Sequence, residues 1–94
     1  MLFRSIVGRA RCHVVHGERT LTGEPGELVS LFALGGPAHG VRTEGLTYAL
    51  DGETLEPGST RGVSNLFAST EARISVERGV LLAVRPGSSG GGTL

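Results

Sequence analysis

Short apolar runs separated by glycine-rich breaks run the length of this chain, and their spacing predicts strands rather than helices. No segment keeps an apolar stripe of helical period over three turns. Residues 11–15 read as a first strand turning at His16-Gly17, with 19–21 as a short return before the Glu24-Pro25-Gly26 break. Residues 28–34 are almost continuously apolar. That predicts a strand covered on both faces, in the middle of a sandwich or at a subunit contact. Gly35-Gly36-Pro37 ends it, and the polar run 39–43 fits a sheet edge. Leu46, Tyr48 and Leu50 then alternate onto one face, with Thr47 and Ala49 on the other. Asp51-Gly52 is the strongest hairpin signal, because both central residues of a type I′ turn need positive φ. Residues 53–55 form the return strand, Pro57-Gly58 turns again, and 63–67 is the next strand.

Ala72, Ile74 and Val76 alternate with Arg73, Ser75 and Glu77, which predicts a half-exposed strand. Arg78-Gly79 then turns into 80–84, a buried strand expected to pair antiparallel with it, and Pro86 stops it. Regular spacing of about eight short strands predicts an all-β, antiparallel sandwich or flattened barrel over residues 11–86. Residues 1–10 read as a fragment start or linker, and the Gly/Ser-rich 87–94 as a disordered tail. There is no internal repeat.

Composition narrows the function more by exclusion. The 94 residues make one domain at most, with zero formal net charge. No large field draws in nucleic acid or anionic lipid. All nine basic residues are Arg, scattered along the chain. No apolar run approaches the ~20 residues that span a membrane. The single cysteine, Cys12, excludes an internal disulfide framework and fits a reducing, cytoplasmic setting.

The usable chemistry concentrates in the middle of the chain. Tyr48 offers an aromatic face that attracts a cation or an electron-poor ring, or else packs across a sheet with its hydroxyl at the rim. Asn65 offers an acceptor and a donor side by side, matching the edge of an aminopyrimidine, or else holds a turn; Ser64 adds a hydroxyl. Arg42 and Arg61 flank these segments, placed either to meet a substrate phosphate or to line a solvated edge. Cys12, His13 and His16 invite a metal reading, but His13 points away from the other two on a strand and no fourth ligand has suitable spacing. Asp51 is the only aspartate, and no Gly-Lys-Ser/Thr phosphate loop or Ser-His-Asp arrangement is legible.

The runs Gly26-Glu27-Leu28-Val29-Ser30-Leu31, Gly40-Val41-Arg42-Thr43-Glu44-Gly45-Leu46-Thr47-Tyr48-Ala49-Leu50, Gly58-Ser59-Thr60-Arg61-Gly62-Val63-Ser64-Asn65 and Gly79-Val80-Leu81-Leu82-Ala83-Val84 occur in this order. Together they resemble the C-terminal domain of the thiamine pyrophosphokinase (thiamine diphosphokinase) family over residues 11–85. The resemblance implies a thiamine-binding and dimerising β-sandwich, with Gly45, Leu46, Tyr48, Ser64 and Asn65 at the vitamin. It also implies a whole enzyme that moves diphosphate from ATP to thiamine, giving thiamine diphosphate and AMP. ATP and Mg²⁺ would sit in an N-terminal domain absent here, so this chain alone would be inactive. Two positions depart from the family pattern: Leu66 stands where many bacterial members have Glu, and Tyr48 where many have Trp. The alternative is a stand-alone β-sandwich interaction module with no small-molecule site, docking through 28–34.

Overall fold

Side-chain alternation decides which face of each strand meets the core, and here it produces two faced sheets. The computed structural model describes residues 11–86; the expected start at 1–10 and the tail from 87 lie outside the described residues. Eight strands follow in chain order: β1 (Arg11–Val15), β2 (Glu18–Thr22), β3 (Leu28–Ala33), β4 (Ala38–Glu44), β5 (Asp51–Leu55), β6 (Asn65–Leu66), β7 (Glu71–Ser75) and β8 (Leu81–Arg85). They form two antiparallel four-stranded sheets, ordered β1-β8-β3-β6 and β2-β7-β4-β5. The sheets stay open, so the fold is a sandwich and not a flattened barrel. No helix among the described residues is long and apolar enough to cross a membrane.

The core lies between the inner faces. Val15, Val29, Leu31, Leu81 and Ala83 come from the first sheet, and Leu21, Val41, Leu55, Ala72 and Ile74 from the second; all are buried. The loops add Leu46, Leu50, Phe67 and Val76. The alternation of Ala72, Ile74 and Val76 holds as the sequence predicts.

Several local expectations give way to long-range pairing. The 80–84 segment does not pair with its chain neighbour: β8 lies between β1 and β3 in the other sheet. Residues 11–15 and 19–21 form no hairpin either, because His16-Gly17 turns a corner between sheets. The polar strand 39–43 is interior, since β4 has β7 on one side and β5 on the other. Residues 28–34 are covered on one face only. Val29 and Leu31 are buried, whereas Leu28, Phe32 and Leu34 are exposed.

The Asp51-Gly52 hairpin is also displaced. Asp51 begins β5 opposite Arg42, with which it forms an ion pair. Gly52 keeps the positive φ that its sequence invites, at 84°, but spends it in a bulge between the Arg42–Asp51 and Val41–Glu53 pairs. Thr43 and Leu50 close the connection instead: the Thr43 N–H donates to Leu50 O at 2.9 Å, and the Leu50 N–H to Thr43 Oγ1 at 2.9 Å. Residues 46–50 therefore form a loop, and of 63–67 only Asn65–Leu66 is strand.

The two outer faces differ in chemistry. On the second sheet Arg73 stands between Glu18 and Glu44, at 3.7 and 3.5 Å, beside the Arg42–Asp51 pair. On the first sheet Val14, Leu82 and Phe32 form one row across three strands, and Cys12, Val84 and Ser30 a second. That face carries no charge along these rows.

One ion pair sits at the core margin. Arg85 is buried and donates through Nε and Nη2 to Glu27 Oε2, at 3.0 and 2.7 Å, while its guanidinium lies 5.3 Å from the Phe67 ring centroid. Burial alone would raise the Glu27 pKa, but the Arg85 bond and the Glu24 backbone N–H outweigh it and hold the carboxyl below its usual value of 4.5. His13 is lowered below 6.5 by desolvation and by Arg19, Arg85 and Arg11. Both groups bind protons less readily when folded, so stability is greatest above the unfolded pKa values and falls on acidification, as Glu27 loses its ion pair and protonation of His13 becomes a penalty. The loss from His13 begins below pH 6.5, and that from Glu27 below 4.5. Urea unfolding as a function of pH should show stability falling through these two windows. Glu27→Gln should cost about 2 kcal/mol at neutral pH and flatten the lower window.

Candidate functional site

A buried carboxamide organises an open surface cleft. Asn65 opens β6, opposite Val29 on the inner face of the first sheet, and is 1% exposed. Its Nδ2 donates to Tyr48 O at 2.8 Å, and its Oδ1 accepts from Tyr48 N–H at 2.9 Å. The same oxygen accepts from Leu66 N–H at 2.9 Å. The side chain thus stands in for a strand partner and clasps the backbone of Tyr48, seventeen residues earlier. Backbone bonds Thr47 N–H to Leu66 O and Ala68 N–H to Gly45 O extend the seam on both sides, each 2.8 Å.

Leu46 and Leu50 are buried at the two ends of the loop, but the Tyr48 ring between them is turned outward, 62% exposed, so the three do not share the one face that strand alternation predicts. An open cleft of about 620 Å³ lies beside it, lined by Tyr48, Ala49, Leu50, Arg61, Val63, Ser64 and Asn65. Ser64 is part of this lining. It is the one non-glycine residue with positive φ among the described residues, at 62°, a conformation that costs a serine free energy. The Ser64 N–H donates to Ser30 Oγ at 2.9 Å, and Leu31 N–H donates to Gly62 O at 2.8 Å. These bonds tie the 59–64 turn to β3 and hold the strained residue in place. The hydroxyls of Tyr48 and Ser64 stay unspent among the described residues.

Of the residues singled out in sequence, Tyr48, Ser64, Asn65 and Arg61 come together here. Gly45 does not line the cleft. It adopts φ 87°, and a Cβ there would run into the carbonyl oxygen of Glu71, so its close approach is to the β7 backbone. Leu46 is a core residue bridged to Phe67. Arg42 is engaged with Asp51 away from the cleft. The Asn65 amide is largely spent on Tyr48: both acceptor positions of Oδ1 are filled and one Nδ2 hydrogen remains. Ser30 escaped sequence reasoning, because its contact is 34 residues away and leaves no local signal. Val63 and Ala49 were legible only as neighbours of the chosen residues.

Cys12 is exposed, and among the described residues no three His, Cys, Asp or Glu side chains gather to hold a metal. Five of the carboxylates are instead taken by arginines: Glu27 by Arg85, Asp51 by Arg42, Glu53 by Arg61, and both Glu18 and Glu44 by Arg73. The cleft can therefore stack a flat ring and hydrogen-bond its edge.

Asn65→Ala should leave three backbone groups unpaired and cost about 3 kcal/mol in urea unfolding. Tyr48 is the only tyrosine and the chain has no tryptophan, so intrinsic fluorescence reports this loop alone. Its anisotropy should fall in the variant while the fold is still populated.

Comparison with known proteins gives a consistent result. A family model described as "Thiamin pyrophosphokinase, vitamin B1 binding domain" matches residues 12–81. No curated protein matches the chain by sequence. Among solved structures, a thiamine pyrophosphokinase from Bacillus subtilis superposes with a TM-score of 0.77 at 20% identity, covering 85% of this chain and 38% of that one. One from Geobacillus thermodenitrificans gives 0.73 at 22%, with coverage of 85% and 38%. A family protein from Enterococcus faecalis gives 0.66 at 20%, with coverage of 85% and 37%. The chain thus spans well under half the length of these structures, and at this identity they show a shared fold.

Proposed function

The chain belongs to the vitamin B1-binding domain family of thiamin pyrophosphokinase, and on that footing we propose that the cleft above the Asn65 clasp holds thiamine. The outward ring of Tyr48, fixed at its own backbone, carries this reading. A thiazolium cation or an aminopyrimidine stacks on such a face with about 0.5–2 kcal/mol. The Ser64 hydroxyl and the remaining Asn65 amide hydrogen meet the edge of the pyrimidine. Asn65 acts chiefly as a positioning residue for Tyr48. Gly45 and Leu46 support the loop from behind.

In the whole protein, thiamine held here would present its hydroxyethyl oxygen to ATP, and diphosphate transfer would give thiamine diphosphate and AMP. The described residues do not fit ATP–Mg²⁺, because no three metal-ligating side chains gather among them and five of the carboxylates are paired with arginines. An N-terminal nucleotide-binding domain would supply both groups, in the cytoplasm, and this chain alone would not turn over ATP. The uncharged outer face of the first sheet would pair two copies. Its Val14–Leu82–Phe32 row is apolar, with Val14 and Phe32 exposed and Leu82 half-buried in the single chain, and a two-fold axis lets one patch cover itself.

Thiamine should change Tyr48 fluorescence saturably and raise the melting temperature, by the equivalent of about 2.7 kcal/mol at a hundredfold excess over Kd. Tyr48→Ala should abolish the thermal shift. Tyr48→Trp, with its larger ring, should bind about threefold to tenfold tighter. A wild-type chain that neither shifts nor changes fluorescence at millimolar thiamine sinks the reading. Phe32→Arg should move the chain from dimer to monomer in sedimentation without unfolding it.

A further inference from the structure

The inference drawn here rests on the thiamine reading and concerns the arginine at the cleft's rim. Arg42 and Arg61 both flank the site segments in sequence, and the structure separates them. Arg42 stands opposite Asp51 in the β4–β5 ladder and is no part of the cleft lining. Arg61 lines the cleft with Tyr48 and Ser64. Its backbone N–H donates to Ser59 Oγ at 3.1 Å, and the next residue's carbonyl, Gly62 O, accepts from Leu31 N–H, so the turn that carries it is fixed.

The side chain is less committed. Nη2 lies 2.6 Å from Glu53 Oε1, and both side chains reach solvent, at 58% and 34% exposure. That contact uses one nitrogen of a group with five N–H donors in a planar fork. The Tyr48 hydroxyl, unspent among the described residues, lines the same cleft, and no carboxylate does. A guanidinium with spare N–H donors and a free hydroxyl suit an anion. A thiazolium cation gains nothing from Arg61, whose charge Glu53 cancels while the cleft holds the unphosphorylated vitamin. A phosphate on the same ligand offers the guanidinium a bidentate partner that a single Glu53 oxygen does not.

We propose that Arg61 forms a phosphate-reading subsite at the rim of the cleft, exchanging Glu53 for the phosphate of a phosphorylated ligand. The cleft then holds phosphate esters of its aromatic ligand more tightly than the free alcohol. A transfer reaction at this site is therefore slowed by retention of its own product.

Tyr48 fluorescence titrations of the 94-residue chain with thiamine, thiamine monophosphate, thiamine diphosphate and inorganic pyrophosphate test this. The wild type should bind thiamine diphosphate about tenfold tighter than thiamine, with the monophosphate between them. Arg61→Ala should bring that ratio close to one, and Glu53→Gln should raise it. Arg42→Ala should keep it at about tenfold. A wild-type ratio near one, or a ratio that survives Arg61→Ala, overturns the subsite while leaving thiamine binding standing. Pyrophosphate binding as tightly as thiamine diphosphate overturns it too, as a simple anion site. Binding of no thiamine compound overturns the thiamine reading and the subsite together.

Discussion

The carboxamide of Asn65 is the constraint on which the working surface depends. It is buried at the inner edge of the first sheet, where an unpaired amide would cost about 1–3 kcal/mol for each group left unsatisfied. Only the backbone of Tyr48 and the following N–H of Leu66 satisfy it. The loop between β4 and β5 therefore has one place to go. Residues 46–50 depart from strand conformation, so the ring at position 48 faces out while Leu46 and Leu50 on either side stay buried. A buried polar group thus fixes the backbone that carries an exposed aromatic ring, and that backbone has little conformational entropy left to lose when a ligand stacks.

Ser64, which also lines the cleft, follows the same logic with a different device. Ser64 occupies a left-handed conformation that serine resists, and it is held there by Ser30 and by the Gly62–Leu31 backbone bond. Both anchors belong to β3, the strand that also carries Phe32 on the outer face. Cleft and apolar face are thus built on one strand. The second sheet, with its arginine–carboxylate pairs, is left to meet solvent, where such pairs contribute about 0–1 kcal/mol each. Arg85 is different. Buried between Glu27 and Phe67, it closes the core margin at the cost of sensitivity to acid.

Sequence reasoning reached the fold class and the strand count because period-two alternation and turn residues are local signals. Ala72, Ile74 and Val76 show this best. It failed where the answer depends on distant partners. Gly52 was correctly marked for positive φ, but a bulge uses that φ as well as a turn does, and only pairing with β4 decides between them. The partner of 80–84 could not be read from its neighbours, because β8 pairs with β1 and β3, both in the N-terminal half of the chain. At the site, Tyr48, Ser64, Asn65 and Arg61 were legible as residue types and were brought together. The job of Asn65 was not, since a side chain that mimics a strand partner looks in sequence like one aimed at a ligand.

The central claim is that the cleft beside Tyr48 receives thiamine, and a map of backbone amide shifts on titration with the vitamin tests it most directly. Saturable shifts are expected at Tyr48, Ala49, Val63 and Ser64, with the amides of β1, three strands away across the sheet, unmoved. Shifts centred on β1 and Arg19, or no saturable shift at the four cleft amides, would contradict it.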